Sequence, residues 1–127
     1  MSQRQARVLY VEDQELDAAP IIHTLTPLMA EFRWVKSARE LRATAPEYAP
    51  TLLILDATLE TDGLEYFQAI RFSPEHPDLG VIVLTDPGDR LTRERAQQLG
   101  AAAVLSKPFT PEEVLATIDR LIEIGSN

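Results

Sequence analysis

Short apolar runs alternate with amphipathic stretches along nearly the whole chain. The runs are rich in Val, Leu and Ile, which is typical of strands that are buried on both faces of a parallel sheet. The stretches between them place apolar residues at helical spacing. This pattern predicts five strands and five helices in strict alternation. The predicted strands lie at about Arg7–Val11, Phe32–Lys36, Thr51–Leu55, Val81–Leu84 and Ala103–Leu105.

Prolines interrupt the first two predicted helices. A helical pattern covers about Leu16–Ala30 and places Met29 on its apolar face. Pro27 should kink or shorten this helix, because proline has no N–H to donate and its ring clashes with the preceding turn. Ser37 is suited to cap the second helix, and we expect Pro46 to stop it.

The third and fifth helices have clear start signals. Asp62 and Glu65 have the spacing of a capping box at the start of the third helix. Thr110 is followed by a proline and two acidic residues, which is typical of a helix start. We therefore expect the last helix to begin there.

The fourth helix is predicted at Arg90–Leu99, where Gly100 supplies a typical stop. Its apolar face is thin and would consist of Leu91, Ala96 and Leu99. We therefore expect it to be the least firmly docked helix.

Charged and hydroxyl side chains stand where four of the five predicted strands end. These residues are Glu12 and Asp13 after the first strand, Asp56 after the third, Thr85 after the fourth and Lys107 after the fifth. The carboxyl ends of parallel strands open on the same edge of a sheet, which is where such sheets bind ligands. The sequence therefore predicts a crevice lined by acids, a hydroxyl and an ammonium group.

Composition narrows the class of protein. The chain has 127 residues, of which 45% are hydrophobic and 25% charged, and these values suit one globular domain. We expect that domain to span 1–127, with an ordered core at about 6–124. The absence of Cys excludes disulfides, thiolate metal sites and cysteine nucleophiles, and it fits a reducing cytoplasm. We therefore expect a cytoplasmic protein.

Charge and hydropathy argue against two kinds of partner. The formal net charge of -8 disfavours unspecific binding to nucleic acid, which depends on cationic contacts to phosphates. The longest apolar stretch is far short of a membrane span. The first residues are polar and contain no apolar core of a secretory signal. We expect neither nucleic acid nor a membrane to be a partner of this domain.

The chain resembles the receiver domain of two-component response regulators over essentially its whole length. The matching pieces, in order, are Glu12-Asp13, Asp56, Asp62-Gly63, Thr85 and Lys107-Pro108-Phe109. The resemblance implies a flavodoxin-like α/β fold, which is a doubly wound sheet of five parallel strands in the order 2-1-3-4-5 with five helices on its faces. It also implies Mg²⁺ as the cofactor.

The resemblance assigns metal ligands to the acidic side of the crevice. Asp13 would bind Mg²⁺ directly, and Glu12 would hold a metal-bound water or bind the ion itself. Asp56 would donate one oxygen, and the backbone carbonyl of Thr58 would donate another. The chemistry agrees, because mutual repulsion among three carboxylates favours a hard divalent cation with oxygen ligands.

The resemblance also assigns the groups that handle the phosphoryl group. Asp56 would be the phosphoacceptor, since an aspartate carboxylate can form an acyl phosphate. Lys107 would pair with Asp56 at rest and with a phosphoryl oxygen afterwards, and the Lys107–Pro108 peptide bond would be cis. Thr85 would donate its hydroxyl to another phosphoryl oxygen and draw its loop inward.

The function implied is signalling rather than enzymatic turnover. The donor would be a phosphohistidine on a sensor histidine kinase or on a histidine phosphotransfer protein. Phosphorylation would change the surface around the fourth helix, fifth strand and fifth helix, which could also form a homodimer. The receiver of the signal would be a downstream protein or a missing output domain. Catalysis would be limited to self-phosphorylation and self-dephosphorylation.

Three positions depart from the family pattern. Glu60 replaces the usual proline in a loop that is one residue short. Asp86 follows the hydroxyl residue where a small side chain is usual, and an extra carboxylate there would repel a phosphoryl group. Val104 stands in place of the aromatic switch residue, and its short, stiff side chain has little to swing.

Two alternatives remain open. The departures favour a pseudo-receiver that is never phosphorylated and acts only as an interaction module. An aspartate-nucleophile phosphatase of the haloacid-dehalogenase type is the other, but Thr58 stands where those enzymes usually carry a second Asp. A dinucleotide-binding fold is excluded, because no glycine-rich loop follows the first strand.

Overall fold

The computed structural model describes residues 3–58, 63–70 and 79–125. Within these ranges, strands and helices alternate as predicted. The strands are β1 (Arg4–Val11), β2 (Met29–Val35), β3 (Leu52–Asp56), β4 (Gly80–Thr85) and β5 (Ala103–Ser106). The helices are α1 (Glu15–Leu25), α2 (Ala38–Tyr48), α3 (Gly63–Ile70), α4 (Arg90–Gln98) and α5 (Pro111–Gly125). None of the described helices is both long and apolar enough to cross a bilayer.

The strands form one parallel sheet in the order β2-β1-β3-β4-β5. This confirms the predicted flavodoxin-like topology. The central strand β3 pairs with β1 on one side and β4 on the other, and all five of its residues are buried. Strands covered on both faces need apolar side chains in both directions, which explains why the sequence shows continuous apolar runs instead of alternation.

Alternate residues of the strands feed two apolar layers, because successive side chains point to opposite faces of a sheet. Leu53 and Leu55 face the layer that includes buried residues of α2, α3 and α4. Leu52 and Ile54 face the layer that includes buried residues of α1 and α5. The helices thus cover both faces and leave the carboxyl edge of the sheet available for a site.

The first helix is shorter than predicted. It ends at Leu25 instead of Ala30, and a 3₁₀ turn at Thr26–Leu28 leads directly into β2. Pro27 lies in that turn, where its missing N–H and its ring prevent a further α-helical turn. Met29, which was expected on the apolar face of the helix, is instead the buried first residue of β2.

The prediction that Pro46 stops the second helix is wrong, because the helix continues to Tyr48 and is capped by Ala49 in the left-handed conformation (φ 53°). Tertiary contacts hold this last turn. The Tyr48 hydroxyl donates to the backbone carbonyl of Val8 at 2.8 Å, and Arg7 Nε donates to the Tyr48 carbonyl at 3.0 Å. These bonds fasten the end of α2 to β1.

The fourth helix has a polar surface. Ala96 is the only buried residue among its nine, all of which the structure describes. Leu91 was expected on the apolar face, but its side chain is 80% exposed. Asp89 caps the helix by accepting hydrogen bonds from the backbone N–H and the hydroxyl of Thr92, at 3.1 and 2.7 Å. Capping, more than core packing, defines where α4 begins.

Candidate functional site

The predicted site residues lie together at the carboxyl edge of the sheet. Asp56 and Thr85 are the last residues of β3 and β4, Glu12 directly follows β1, and Lys107 directly follows β5. Glu12, Asp56 and Thr85 are almost completely buried, whereas Asp13 is exposed. Parallel pairing of these strands brings four chain segments to one crevice.

Three carboxylates form the acidic side of this crevice. Glu12, Asp13 and Asp56 each offer an oxygen, and these oxygens lie within 4.8 Å of one another. Glu12 Oε2 accepts a 3.3 Å hydrogen bond from the backbone N–H of Gln14. Glu12 Oε1 is buried and has no hydrogen-bond partner among the described residues. A buried oxygen without a donor, beside two further carboxylates, fits a hard divalent cation.

Asp56, Thr58 and Lys107 form a closed ring of hydrogen bonds. Asp56 Oδ1 accepts two bonds from Thr58, at 2.8 Å from the backbone N–H and 2.6 Å from the hydroxyl. Lys107 Nζ donates to Asp56 Oδ2 at 2.9 Å and to the Thr58 hydroxyl oxygen at 3.1 Å. The ring fixes both oxygens of the buried carboxylate.

The electrostatics of the crevice shift the pKa values of the two buried acids in opposite directions. Burial, together with the adjacent Asp56 carboxyl, raises the pKa of Glu12 from 4.5 to about 8. Burial also pushes the pKa of Asp56 upward, but the adjacent Glu12 carboxyl and the bonds from Thr58 and Lys107 outweigh it, so the pKa is lowered. Without a cation, the crevice therefore favours the ionised form of Asp56 and the protonated form of Glu12.

The opposite wall of the crevice is formed by the ends of β4 and β5. Thr85 lies opposite Ser106 in the sheet, and its carbonyl accepts a 2.8 Å bond from the backbone N–H of Lys107. The Thr85 hydroxyl is buried and lacks a partner among the described residues. Arg93 reaches across from α4 and donates to the Ser106 hydroxyl at 2.6 Å.

An apolar groove of about 350 Å³ borders the crevice next to Lys107. The first turns of α1, the segment after β4 and the segment after β5 contribute to it. Leu16, on α1, is 91% exposed at this groove. The Lys107–Pro108 bond on its other side is cis, as predicted.

Two contacts of the site were not predicted. The indole N–H of Trp34 donates to the backbone carbonyl of Glu12 at 2.8 Å. The Thr58 side chain joins Asp56 to Lys107, whereas only its carbonyl was assigned a role. A signal for the second contact exists, because an aspartate commonly accepts a bond from the residue two positions later.

The structure describes two of the three residues that depart from the family pattern. Asp86 is exposed, and Val104 is half-buried against the core. Glu60, and the predicted capping residue Asp62, lie outside the described residues. The exposed position of Asp86 allows water to screen its charge.

Comparison with known sequences agrees with the resemblance to response regulator receiver domains. The sequence profile of the response regulator receiver domain matches residues 8–119. "Probable chemotaxis protein CheY" of Rhizobium etli is 36% identical over 117 residues, which is 89% of either chain. The phosphate regulon regulatory protein PhoB of Rhizobium meliloti is 29% identical over 91% of this chain, but the match covers only 52% of that protein. This chain therefore spans about half of the PhoB relative.

Solved structures of other proteins have a fold similar to that of this chain. The chemotaxis response regulator CheY4 of Vibrio cholerae superposes with a TM-score of 0.81 at 27% identity, covering 91% of this chain and 98% of that one. NtrX of Brucella abortus superposes with a TM-score of 0.84 at 26% identity, covering 96% of this chain and 28% of that one.

Proposed function

Since the chain belongs to the response regulator receiver domain family, we propose that it accepts a phosphoryl group on Asp56 from a phosphohistidine of a sensor histidine kinase or a histidine phosphotransfer protein. One observation carries the proposal. The Asp56 carboxylate is fully buried, is bound to Lys107 Nζ at 2.9 Å and has two other carboxylates within 4.8 Å. A structural ion pair alone would not need those two additional acids.

The chain's own residues supply most of the transfer chemistry. An oxygen of Asp56 would form the new bond to phosphorus while the bond from phosphorus to the donor's imidazole nitrogen breaks. Lys107 would move one hydrogen bond from Asp56 to a phosphoryl oxygen. Thr85, whose buried hydroxyl has no partner among the described residues, would donate to another phosphoryl oxygen. Phosphoryl transfer depends mainly on such positioning and charge neutralisation.

Mg²⁺ would be held by Asp13, Asp56 and the Thr58 carbonyl, with Glu12 binding directly or through a water. When bound, the ion would neutralise charge on the transferring phosphoryl oxygens. Glu12 Oε1, which has no hydrogen-bond partner among the described residues, supports this assignment, since a cation would supply a positive partner.

The phosphodonor would approach over the groove beside Lys107. Exposed Leu16 offers apolar contact there, and the acidic start of α1 attracts a basic face. We place this exchange in the cytoplasm, which the cysteine-free composition supports.

The output would be a change in the surface formed by α4, β5 and α5, which would engage a downstream protein, an output domain or a second copy of the chain. Several relatives are longer than the matched region, as PhoB is. We propose that residues 1–127 form one receiver domain with an ordered core at about 6–124. We assign it no catalysis beyond phosphorylation and dephosphorylation of itself.

Incubation with acetyl phosphate and Mg²⁺, followed by intact mass measurement, tests the proposal. We expect the gain of one phosphoryl mass, which is lost when Mg²⁺ is chelated beforehand. An unchanged mass, under conditions that phosphorylate a known receiver domain in parallel, would favour the pseudo-receiver. Val104 at the switch position and Asp86 beside Thr85 are the observations that keep this second candidate open.

A further inference from the structure

Thr58 occupies both lone-pair directions of one oxygen of the phosphoacceptor. A carboxylate has about four lone-pair directions, two on each oxygen. Asp56 Oδ1 accepts the Thr58 N–H at 2.8 Å and the Thr58 hydroxyl at 2.6 Å, whereas Oδ2 accepts only Lys107 Nζ, at 2.9 Å. Among the described residues, the remaining free direction is therefore on Oδ2.

A divalent cation is nevertheless favoured on Oδ1. The ammonium group of Lys107 is hydrogen-bonded to Oδ2, and a second cation on that atom would meet strong like-charge repulsion. The backbone carbonyl proposed as a further ligand also belongs to Thr58, whose N–H and hydroxyl both bind Oδ1. The oxygen best suited to the cation is thus the one that Thr58 already saturates.

One of the two Thr58 donors must leave before a cation can bind Oδ1. The N–H is fixed by the backbone, which would have to be displaced to release it. The hydroxyl hydrogen turns about a single bond, and the half-buried position of Thr58 lets water accept it after release. The hydroxyl is therefore the donor that the cation displaces from Oδ1.

We infer that Thr58 is a positioning residue. Its hydroxyl competes with the divalent cation for Asp56 Oδ1 and so weakens cation binding in the resting protein. This inference rests on the proposed function, since it concerns the metal site assigned there. The hydroxyl holds the Asp56–Lys107 pair in place while the site is empty of cation, and it must break its 2.6 Å bond when the cation enters.

Mg²⁺ affinity, measured without any phosphodonor, tests the inference. Thr58→Val keeps the shape of the side chain and deletes its hydroxyl, whereas Thr58→Ser keeps the hydroxyl. We expect Thr58→Val to bind Mg²⁺ about tenfold more tightly, which corresponds to one hydrogen bond to a charged group. Thr58→Ser should bind as the native protein does. Trp34 fluorescence and calorimetric titration would report the affinities.

Two further variants test whether the effect is specific to the hydroxyl of Thr58. Thr26→Val makes the same substitution at an exposed position whose hydroxyl donates to the carbonyl of Ile22, and it should leave the affinity unchanged. Thr58→Ala removes the same hydroxyl and should also tighten binding. A structural defect would weaken the site instead of strengthening it.

The outcomes separate this inference from the function on which it rests. Native protein that binds Mg²⁺, together with a Thr58→Val variant of equal or weaker affinity, would overturn the inference alone. Tighter binding by Thr58→Ser than by the native protein would also overturn it. Native protein without any Mg²⁺ response would overturn the proposed metal site and the inference together.

Discussion

Trp34 donates its indole N–H to the backbone carbonyl of Glu12 at 2.8 Å, and this bond places the chain's single tryptophan beside the acidic crevice. Trp34 is therefore a reporter of the site. We expect Mg²⁺ to change its fluorescence in a saturable way, and Asp13→Asn to abolish the change.

The same titration should be visible in thermal melts. A ligand that binds only the folded state adds about 2.7 kcal/mol at one hundred times its dissociation constant. Native protein should therefore melt at a higher temperature in millimolar Mg²⁺, whereas Asp13→Asn should not. Identical melts of the native protein with and without Mg²⁺ would contradict the metal assignment.

Asp56→Asn should prevent phosphorylation by acetyl phosphate, because the amide keeps the shape of the side chain but is not a nucleophile. Intact mass measurement checks this. Asp86→Asn is the matched control, since Asp86 is exposed in the adjacent loop, and this variant should still gain one phosphoryl mass. Phosphorylation of Asp56→Asn would show that another residue is the acceptor.

Stability without Mg²⁺ should fall as the pH rises from about 5 to about 8. The folded-state pKa of Glu12 is raised from 4.5 to about 8, so the fold favours the protonated form. Its contribution is complete below the unfolded-state pKa and is lost as the pH passes through the folded-state value. The lowered pKa of Asp56 acts the opposite way, but only in strongly acidic solution.

Urea denaturation across this pH range measures the effect. Glu12→Gln removes the titrating group and should flatten the profile, whereas Glu15→Gln, at an exposed position, should retain the native slope. Added Mg²⁺ should reduce the loss at high pH. A native profile that Glu12→Gln does not change would argue against a proton on Glu12.

Lys107→Met should destabilise the protein, because it leaves the buried Asp56 charge without its ammonium partner. Breaking one side of a buried pair typically costs about 3 kcal/mol or more. Equilibrium denaturation at neutral pH checks this. Lys36→Met alters the chain's other lysine, which is exposed, and should cost less than about 0.5 kcal/mol. Equal costs would contradict the pairing argument.

Phosphorylation should act mainly on residues 86–99. Val104 cannot make the swing of an aromatic switch, but Arg93 links α4 to Ser106, which lies opposite Thr85. Inward movement of Thr85 would disturb this link. Hydrogen exchange with a phosphoryl mimic should therefore show its largest changes in the loop after β4 and in α4.

Variants of the basic residues in α4 sharpen this test. Arg93→Ala should raise exchange in α4 before any mimic is added, whereas Arg90→Ala, at an exposed position, should not. Changes confined to Val104 and its neighbours would reject the role of α4 in switching.

The sheet and the main site residues were predictable because each produces a recognisable local pattern in the sequence. Buried strands such as β3 read as continuous apolar runs, and Asp56 ends that run. Where the prediction failed, distant contacts decided the structure. Pro46 stays helical because Tyr48 is tied to β1. The exposure of the apolar Leu91 has no such explanation in the structure.

The Lys107–Thr58 bond and the Arg93–Ser106 bond were beyond sequence reasoning for a different reason. Both depend on side-chain rotamers that only the assembled site selects, and Arg93 is 13 positions away from its partner. Spacing along the chain indicates which backbone ends meet, but not which donors turn towards them.

The crevice draws on the ends of β1, β3, β4 and β5, and each described strand pair is parallel, so no hairpin shortens the path to it. Asp56 and Lys107, for example, lie 51 positions apart. Contacts of this range form late, since loop-closure entropy is lost before they can stabilise the chain. A cation that needs the finished crevice should therefore slow unfolding and leave the folding rate almost unchanged. The site that receives the signal would thus also set how long each molecule stays folded.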